Sequence, residues 1–149
     1  MKISIGSDHA GFLLKKEIIK HLKNRGYGVN DFGTFDEESC DYADYALKVA
    51  EDVRDKNCDF GILICGTGIG ISIAANKVVG VRAALCSDAF SAYACREHNN
   101  ANILALGQRV VGVGVALDIV DKFLNTEFEG GRHQRRLDKV AEIETKYCK

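Results

Sequence analysis

The chain has 149 residues, of which 46% are hydrophobic and 28% charged, with a formal net charge of -1. That is the size of one ordinary domain, 1–149, and it buries roughly 70% of its unfolded surface without help from a disulfide or metal. The near-balanced charge argues against nucleic acid as the main partner, because such binding rests on many Lys and Arg contacts to phosphate. No stretch reaches the ~20 apolar residues of a membrane span.

The opening MKISIGSDHAG turns polar too early for a signal peptide. Six cysteines without an export signal predict a reducing, cytoplasmic setting with free thiols. Their spacing holds no C-x-x-C pair, so a zinc ribbon or thioredoxin-like motif is not expected.

In chain order, Lys2–Gly6 reads as a short buried strand. Gly11–Arg25 carries apolar residues at 13, 14, 18, 19 and 22, a helical spacing, with Gly26 placed as a C-terminal cap. Tyr27–Phe32 suits an edge strand, Gly33–Asp41 a polar loop, and a helix of about four turns begins at Tyr42. Phe60–Cys65 is continuously apolar, the mark of a central strand. Val81–Cys86 and Asn102–Leu106 are two further strands, with a helix through Ala89–His98 between them. Helices follow over Gly112–Leu124 and, finally, around Leu137, Val140, Ile143 and Tyr147.

Strands alternating with helices predict a Rossmann-like three-layer α/β/α sandwich on a parallel sheet of about five strands, closed by a C-terminal helix. Ligands in such sheets bind beyond the carboxyl ends of the strands. That rule selects Ser7-Asp8-His9, Cys65–Gly70, Ser87-Asp88 and Gly107–Arg109, which should converge on one crevice.

The most informative stretch is ICGTGIGIS, Ile64–Ser72. A dinucleotide fingerprint would need a glycine where Ile71 stands, and no Gly-Lys-Ser/Thr follows to make a Walker loop. Asp88, resembling a ribose-binding acid, keeps a nucleotide-binding regulatory module as an alternative. Gly66, Gly68 and Gly70 supply instead a turn of N–H groups at a helix N-terminus, which stabilises negative charge on a phosphate or in a reaction. The plainer reading is a tight turn packing helix on strand. Cys65 stands where a thiol is made a better base or nucleophile, or is simply a small buried hydrophobe. Cys40, Cys58, Cys86, Cys95 and Cys148 read as inert, although a redox sensor with Cys86 resolving Cys65 is a further alternative.

Other candidates each carry two readings. Asp8 either caps the helix after the first strand or, with His9, meets a ligand. His98, followed by Asn99, ends a helix whose dipole it can complement. Cys95 and His98 lie one turn apart but make a weak metal pair on their own. His21 reads as solvent-exposed, and His133 as surface. Arg132 and Arg136, four apart on one helical face, suit a phosphate dianion or a solvated basic face. Arg109 is a third phosphate candidate by topology.

SDHAG (7–11), ICGTGIGISIAANK (64–77), REHNNANILALGQR (96–109) and GRHQRRL (131–137) together resemble the B-type ribose-5-phosphate isomerases, whose family includes galactose-6-phosphate and allose-6-phosphate isomerases. The resemblance covers essentially the whole chain. It implies interconversion of ribose 5-phosphate and ribulose 5-phosphate, no cofactor or metal, and a homodimer or tetramer with active sites between subunits. By that resemblance Cys65 is the base, Thr67 moves a proton between the sugar oxygens, and His98 opens the ring. Backbone N–H groups of Gly66, Thr67, Gly68, Ile69 and Gly70 hold the enediolate. Asp8, His9 and Asn99 bind hydroxyls, and Arg109, Arg132 and Arg136 bind the phosphate, with His98 and Asn99 reaching in from the other subunit. Members with a glutamate base carry it at the position of Ile71, so this chain falls in the cysteine branch. A hexose-6-phosphate isomerase on the same machinery is the alternative.

Overall fold

The computed structural model describes residues 1–148. The chain runs β1 (Lys2–Ser7), a 3-10 turn (His9–Gly11), α1 (Phe12–Asn24), β2 (Gly28–Asp31), α2 (Tyr42–Arg54), β3 (Phe60–Cys65), α3 (Ile69–Ala75), β4 (Ala83–Leu85), α4 (Ala89–Glu97), β5 (Ile103–Gly107), α5 (Val113–Asn125) and α6 (Arg132–Tyr147). The five strands are parallel and ordered β2-β1-β3-β5-β4. The fold expected from the alternating pattern is the fold observed.

Period-two alternation along the strands builds the layers. Ile62 and Ile64 of β3 and Leu104 and Leu106 of β5 pack with Leu14, Ile18 and Leu22 of α1 and with Ile119, Val120 and Phe123 of α5. Leu63, Cys65, Ile103 and Ala105 point the other way, onto Val49 and Val53 of α2 and Ile71 and Ala75 of α3. Each face of the sheet is thus covered by helices whose apolar residues recur every three or four positions.

Local signals in the sequence act where expected. Gly26 takes φ +82° after α1, a conformation only glycine adopts without strain. β3 spans the six residues of the apolar run FGILIC and lies at the centre of the sheet.

β4 is shorter than the expected Val81–Cys86. The Arg82 N–H is taken by the Asn102 side chain at 2.8 Å, and the Asn76 amide brackets both backbone groups of Ala83, at 2.8 and 2.9 Å. Side-chain amides therefore end the strand and cover an edge that would otherwise offer a free ladder.

Lys15 of α1 is buried, and its Nζ lies 2.5 Å from Asp31 Oδ1 at the end of β2. The same carboxylate oxygen accepts the Gly33 N–H at 2.9 Å. A charge in this position is tolerable only because it is paired, and the pair shapes the loop leaving β2.

Among the described residues no helix is long and apolar enough to cross a membrane.

Candidate active site

The carboxyl end of β3 leads directly into the glycine loop. Cys65 is buried, and its Sγ accepts the Gly68 N–H at 3.1 Å. Gly68 has φ +79°, and a Cβ there would stand 2.9 Å from the Leu106 carbonyl carbon and 2.5 Å from Leu85 Cδ1. Only glycine lets the chain turn back tightly enough to aim this N–H at the sulfur. The Thr67 hydroxyl accepts the Ile69 N–H at 3.2 Å, beginning α3. Ile71, fully buried, packs in the layer beneath and offers no proton-transfer group.

Neighbouring strand ends close around this loop. Gln108 and Arg109 donate their N–H groups to the carbonyls of Cys65 and Gly66, both at 3.0 Å. The Arg109 guanidinium lies over Gly66, where an added Cβ would meet Nη1 at 3.1 Å. From the other side, the Asp8 N–H donates to the Ile64 carbonyl at 3.2 Å. Asp8 Oδ1 accepts the N–H groups of Ala10 and Gly11, at 3.0 and 3.1 Å, so the capping reading holds for that oxygen. The Cys40 N–H donates to His9 Nδ1 at 3.2 Å. Nδ1 is therefore the acceptor, and the ring's proton belongs on Nε2 when the imidazole is neutral. Asp8, His9, Cys65–Gly70 and Arg109 thus meet at one crevice, as the topology required.

Tyr42, at the start of α2, was not singled out by its sequence context. Its ring covers Gly70, so that a Cβ at 70 would be 2.7 Å from Cζ. The glycine is needed for that contact, which sets the phenol beside the loop. Asp88, also at a carboxyl strand end, spends its carboxylate capping α4: Oδ1 accepts the Ser91 N–H at 2.7 Å and Oδ2 the Ser91 hydroxyl at 2.8 Å. These bonds hold its carboxyl below the usual carboxylate range. A ribose-binding acid would need those oxygens free.

The remaining candidates lie elsewhere. α4 runs back against the strands, so His98 and Asn99 precede β5 and sit at the amino edge of the sheet. Cys65 pairs with Gly107 at the other end of β5, roughly 15 Å away at ~3.3 Å per strand residue. The His98 and His133 rings stack at 4.5 Å with 17° between planes, which brings the first turn of α6, and so Arg132 and Arg136, to this same edge. His133 is 4% exposed rather than on the surface, because α6 begins by folding over the end of α4. His21 is also less free than expected: its Nε2 lies 2.8 Å from Asp121 Oδ1.

Arg96 holds the segment that presents His98 and Asn99. Buried, it donates from Nη1 to the Ala101 carbonyl at 2.6 Å and to Asn100 Oδ1 at 2.9 Å. Its guanidinium also lies over the Phe60 ring at 4.6 Å. Nothing in the REHNN stretch distinguishes this arginine from a surface one. Donor atoms of His98, Glu129 and His133 come within 4.8 Å of one another. The two imidazoles stack in nearly parallel planes, however, so their lone pairs do not converge on one ion as a metal site requires.

Residues 3–140 match the model of the ribose/galactose isomerase family. The chain is 53% identical over 143 residues to ribose-5-phosphate isomerase B of Escherichia coli (strain K12), covering 96% of each. The structure of Clostridium thermocellum ribose-5-phosphate isomerase B superposes with a TM-score of 0.98 at 63% identity, over 99% of both chains. That of the Mycoplasma genitalium enzyme, with ribulose-5-phosphate bound, gives 0.91 at 47% identity, over 97% of this chain and 96% of that one. The chain belongs to the ribose/galactose isomerase family.

Proposed function

We propose that this protein interconverts D-ribose 5-phosphate and D-ribulose 5-phosphate, with Cys65 as the general base, in non-oxidative pentose phosphate metabolism. The observation that carries the assignment of the base is the Gly68 N–H aimed at Cys65 Sγ inside a loop of donors, with isoleucine at position 71. A thiolate accepting that hydrogen bond takes the proton from C2 of the open-chain sugar and returns it to C1. The resulting cis-enediolate carries its charge on oxygen, where N–H groups of the Gly66–Gly70 turn stabilise it, those of Gly68 and Ile69 being engaged by Cys65 Sγ and the Thr67 hydroxyl; one such donor is worth ~3–4 kcal/mol in a preorganised site. The Thr67 hydroxyl shifts the proton between O1 and O2. No redox cofactor enters, because both electrons stay within the substrate.

The sugar must first be opened and held. His98 assists opening of the furanose, while Asp8, His9 and Asn99 bind hydroxyls. Arg109, Arg132 and Arg136 take the phosphate, whose binding energy orients the reacting carbons. Within one chain these residues lie at opposite edges of the sheet, so each site draws His98, Asn99, Arg132 and Arg136 from a second copy. α6 supports this pairing: Val140, Ile143 and Tyr147 are 53%, 60% and 71% exposed along one helical face, apolar surface that association would bury. The six free thiols fit a reducing cytoplasm.

The test is an isomerisation assay with ribose 5-phosphate in excess EDTA, run beside allose 6-phosphate. Turnover of the pentose phosphate that falls about 10²–10⁴-fold in Cys65→Ala, with substrate binding retained, is the expected result. Near-wild-type turnover by that variant would overturn the base assignment, and preference for the hexose phosphate would overturn the substrate.

A further inference from the structure

Cys86 and Cys95 take no part in the chemistry above. Cys86 follows β4 and Cys95 lies in α4; both are buried, and their Sγ atoms are 3.8 Å apart, with Cys86 donating to Cys95. Both belong to the apolar layer shared by α1 and α5, whereas Cys65 faces the opposite layer. Cys86 is therefore not poised to resolve Cys65, as a redox reading of the sequence would have it, but it is poised to resolve Cys95.

A disulfide needs its sulfurs at ~2.05 Å, so closure asks for roughly 1.7 Å of approach between two side chains already in contact. Cys95 lines a groove of about 270 Å³ with Ala84, Asn99, Leu137 and Val140; the second copy proposed above covers the Val140 face, and the space between the copies has only to admit a molecule little larger than water at ~30 Å³. The two thiols also differ in character. The hydrogen bond from Cys86 and the nearby Arg96 guanidinium bring the Cys95 thiol down from its ordinary value. Donation to Cys95 and burial push Cys86 up.

We propose that Cys86 and Cys95 form a reversible disulfide when the protein meets a peroxide. The Cys95 thiolate attacks one peroxide oxygen; the O–O bond breaks, an S–O bond forms, and hydroxide leaves to be protonated to water. The Cys86 sulfur then attacks Cys95, the S–O bond breaks, the S–S bond forms, and the Cys86 proton departs with the second hydroxide as water. Two thiols lose two electrons, and one hydrogen peroxide becomes two waters. Cys95 lies on α4 three residues before His98, which caps the helix, so the cross-link draws on the element that presents the proposed ring-opening histidine.

One tryptic peptide, Ala83–Arg96, contains both cysteines, which makes the test direct. Folded wild-type protein is treated with hydrogen peroxide, the peroxide is removed, the thiols are blocked by unfolding the protein directly into guanidinium with iodoacetamide, and it is digested without reductant. The expected result is a fraction of this peptide two hydrogens lighter and unalkylated, lost again if dithiothreitol precedes blocking. In Cys86→Ala the light peptide is absent and Cys95 reacts with dimedone as a sulfenic acid. Full alkylation of both cysteines under peroxide that has oxidised the exposed Cys148 would overturn the proposal. So would a disulfide that forms only in urea, or one joining Cys86 to Cys65. The wild-type measurement decides the matter even where the variant fails to fold.

Discussion

At the carboxyl edge of the sheet, the groups proposed to face a ligand are largely backbone. The Cys65–Gly70 loop, the Asp8 turn and the Gly107–Arg109 turn are tied to one another by carbonyl–amide bonds of 3.0–3.2 Å, and glycines sit wherever a Cβ would collide. At the amino edge they are side chains carried on helix ends, His98 on α4 and Arg132 and Arg136 on α6, held by one ring stack and by Arg96. Shifting any part of the first region breaks these backbone bonds between its turns. The second depends on a few contacts and on whatever α6 leans against. Proton transfer, which tolerates little misplacement, is proposed for the first region, and ring opening and, Arg109 apart, phosphate capture, which act through long side chains, for the second.

Separating the two halves genetically gives the largest effect. Cys65→Ala and His98→Asn should each lose most turnover alone, while their co-expressed mixture recovers about a quarter of wild-type activity, since random pairing leaves one site in four with both halves intact. A mixture as inactive as its parents would show that each site is built from a single chain.

Arg96→Met should cost about 3 kcal/mol of stability, because its loss leaves the Ala101 carbonyl and Asn100 without a charged donor. Urea denaturation measures it, and in the folded variant kcat should fall further than the response to Cys65 alkylation changes. Gly68→Ala should cost about 1–3 kcal/mol by forcing a side chain to φ +79°, with turnover lost in proportion to the misplaced N–H. Asp88→Ala is the mildest: a small drop in Tm from the lost cap on α4, and unchanged kcat and KM.

The layers, the central strand and the crevice at the carboxyl edge were legible because hydrophobic period and glycine placement act locally. Cys65, Asp8 and Arg109 could be placed from topology alone. The buried ion pair of Lys15 and Asp31, the strut Arg96 and the stack of His133 on His98 were not. Each is a polar residue whose partner lies sixteen or more positions away or whose burial is decided by how one helix end meets another. Tyr42 was missed for the same reason, since its contact with Gly70 joins two helices on one face of the sheet.

The sparse anchoring of α6 has a consequence for handling the enzyme. Among its described residues only His133 is buried within its own chain, and Arg132 and Arg136, proposed above to bind phosphate, ride on the same helix. Specific activity should therefore fall on dilution, as copies separate and every site loses half its residues. On the proposed shared site, sugar phosphate would touch both copies at once, acting as a reversible cross-link that favours association by RT ln(1 + [L]/Kd) per occupied site. Assays started by adding enzyme to substrate should then run faster than those started from pre-diluted enzyme, with a lag as copies reassemble.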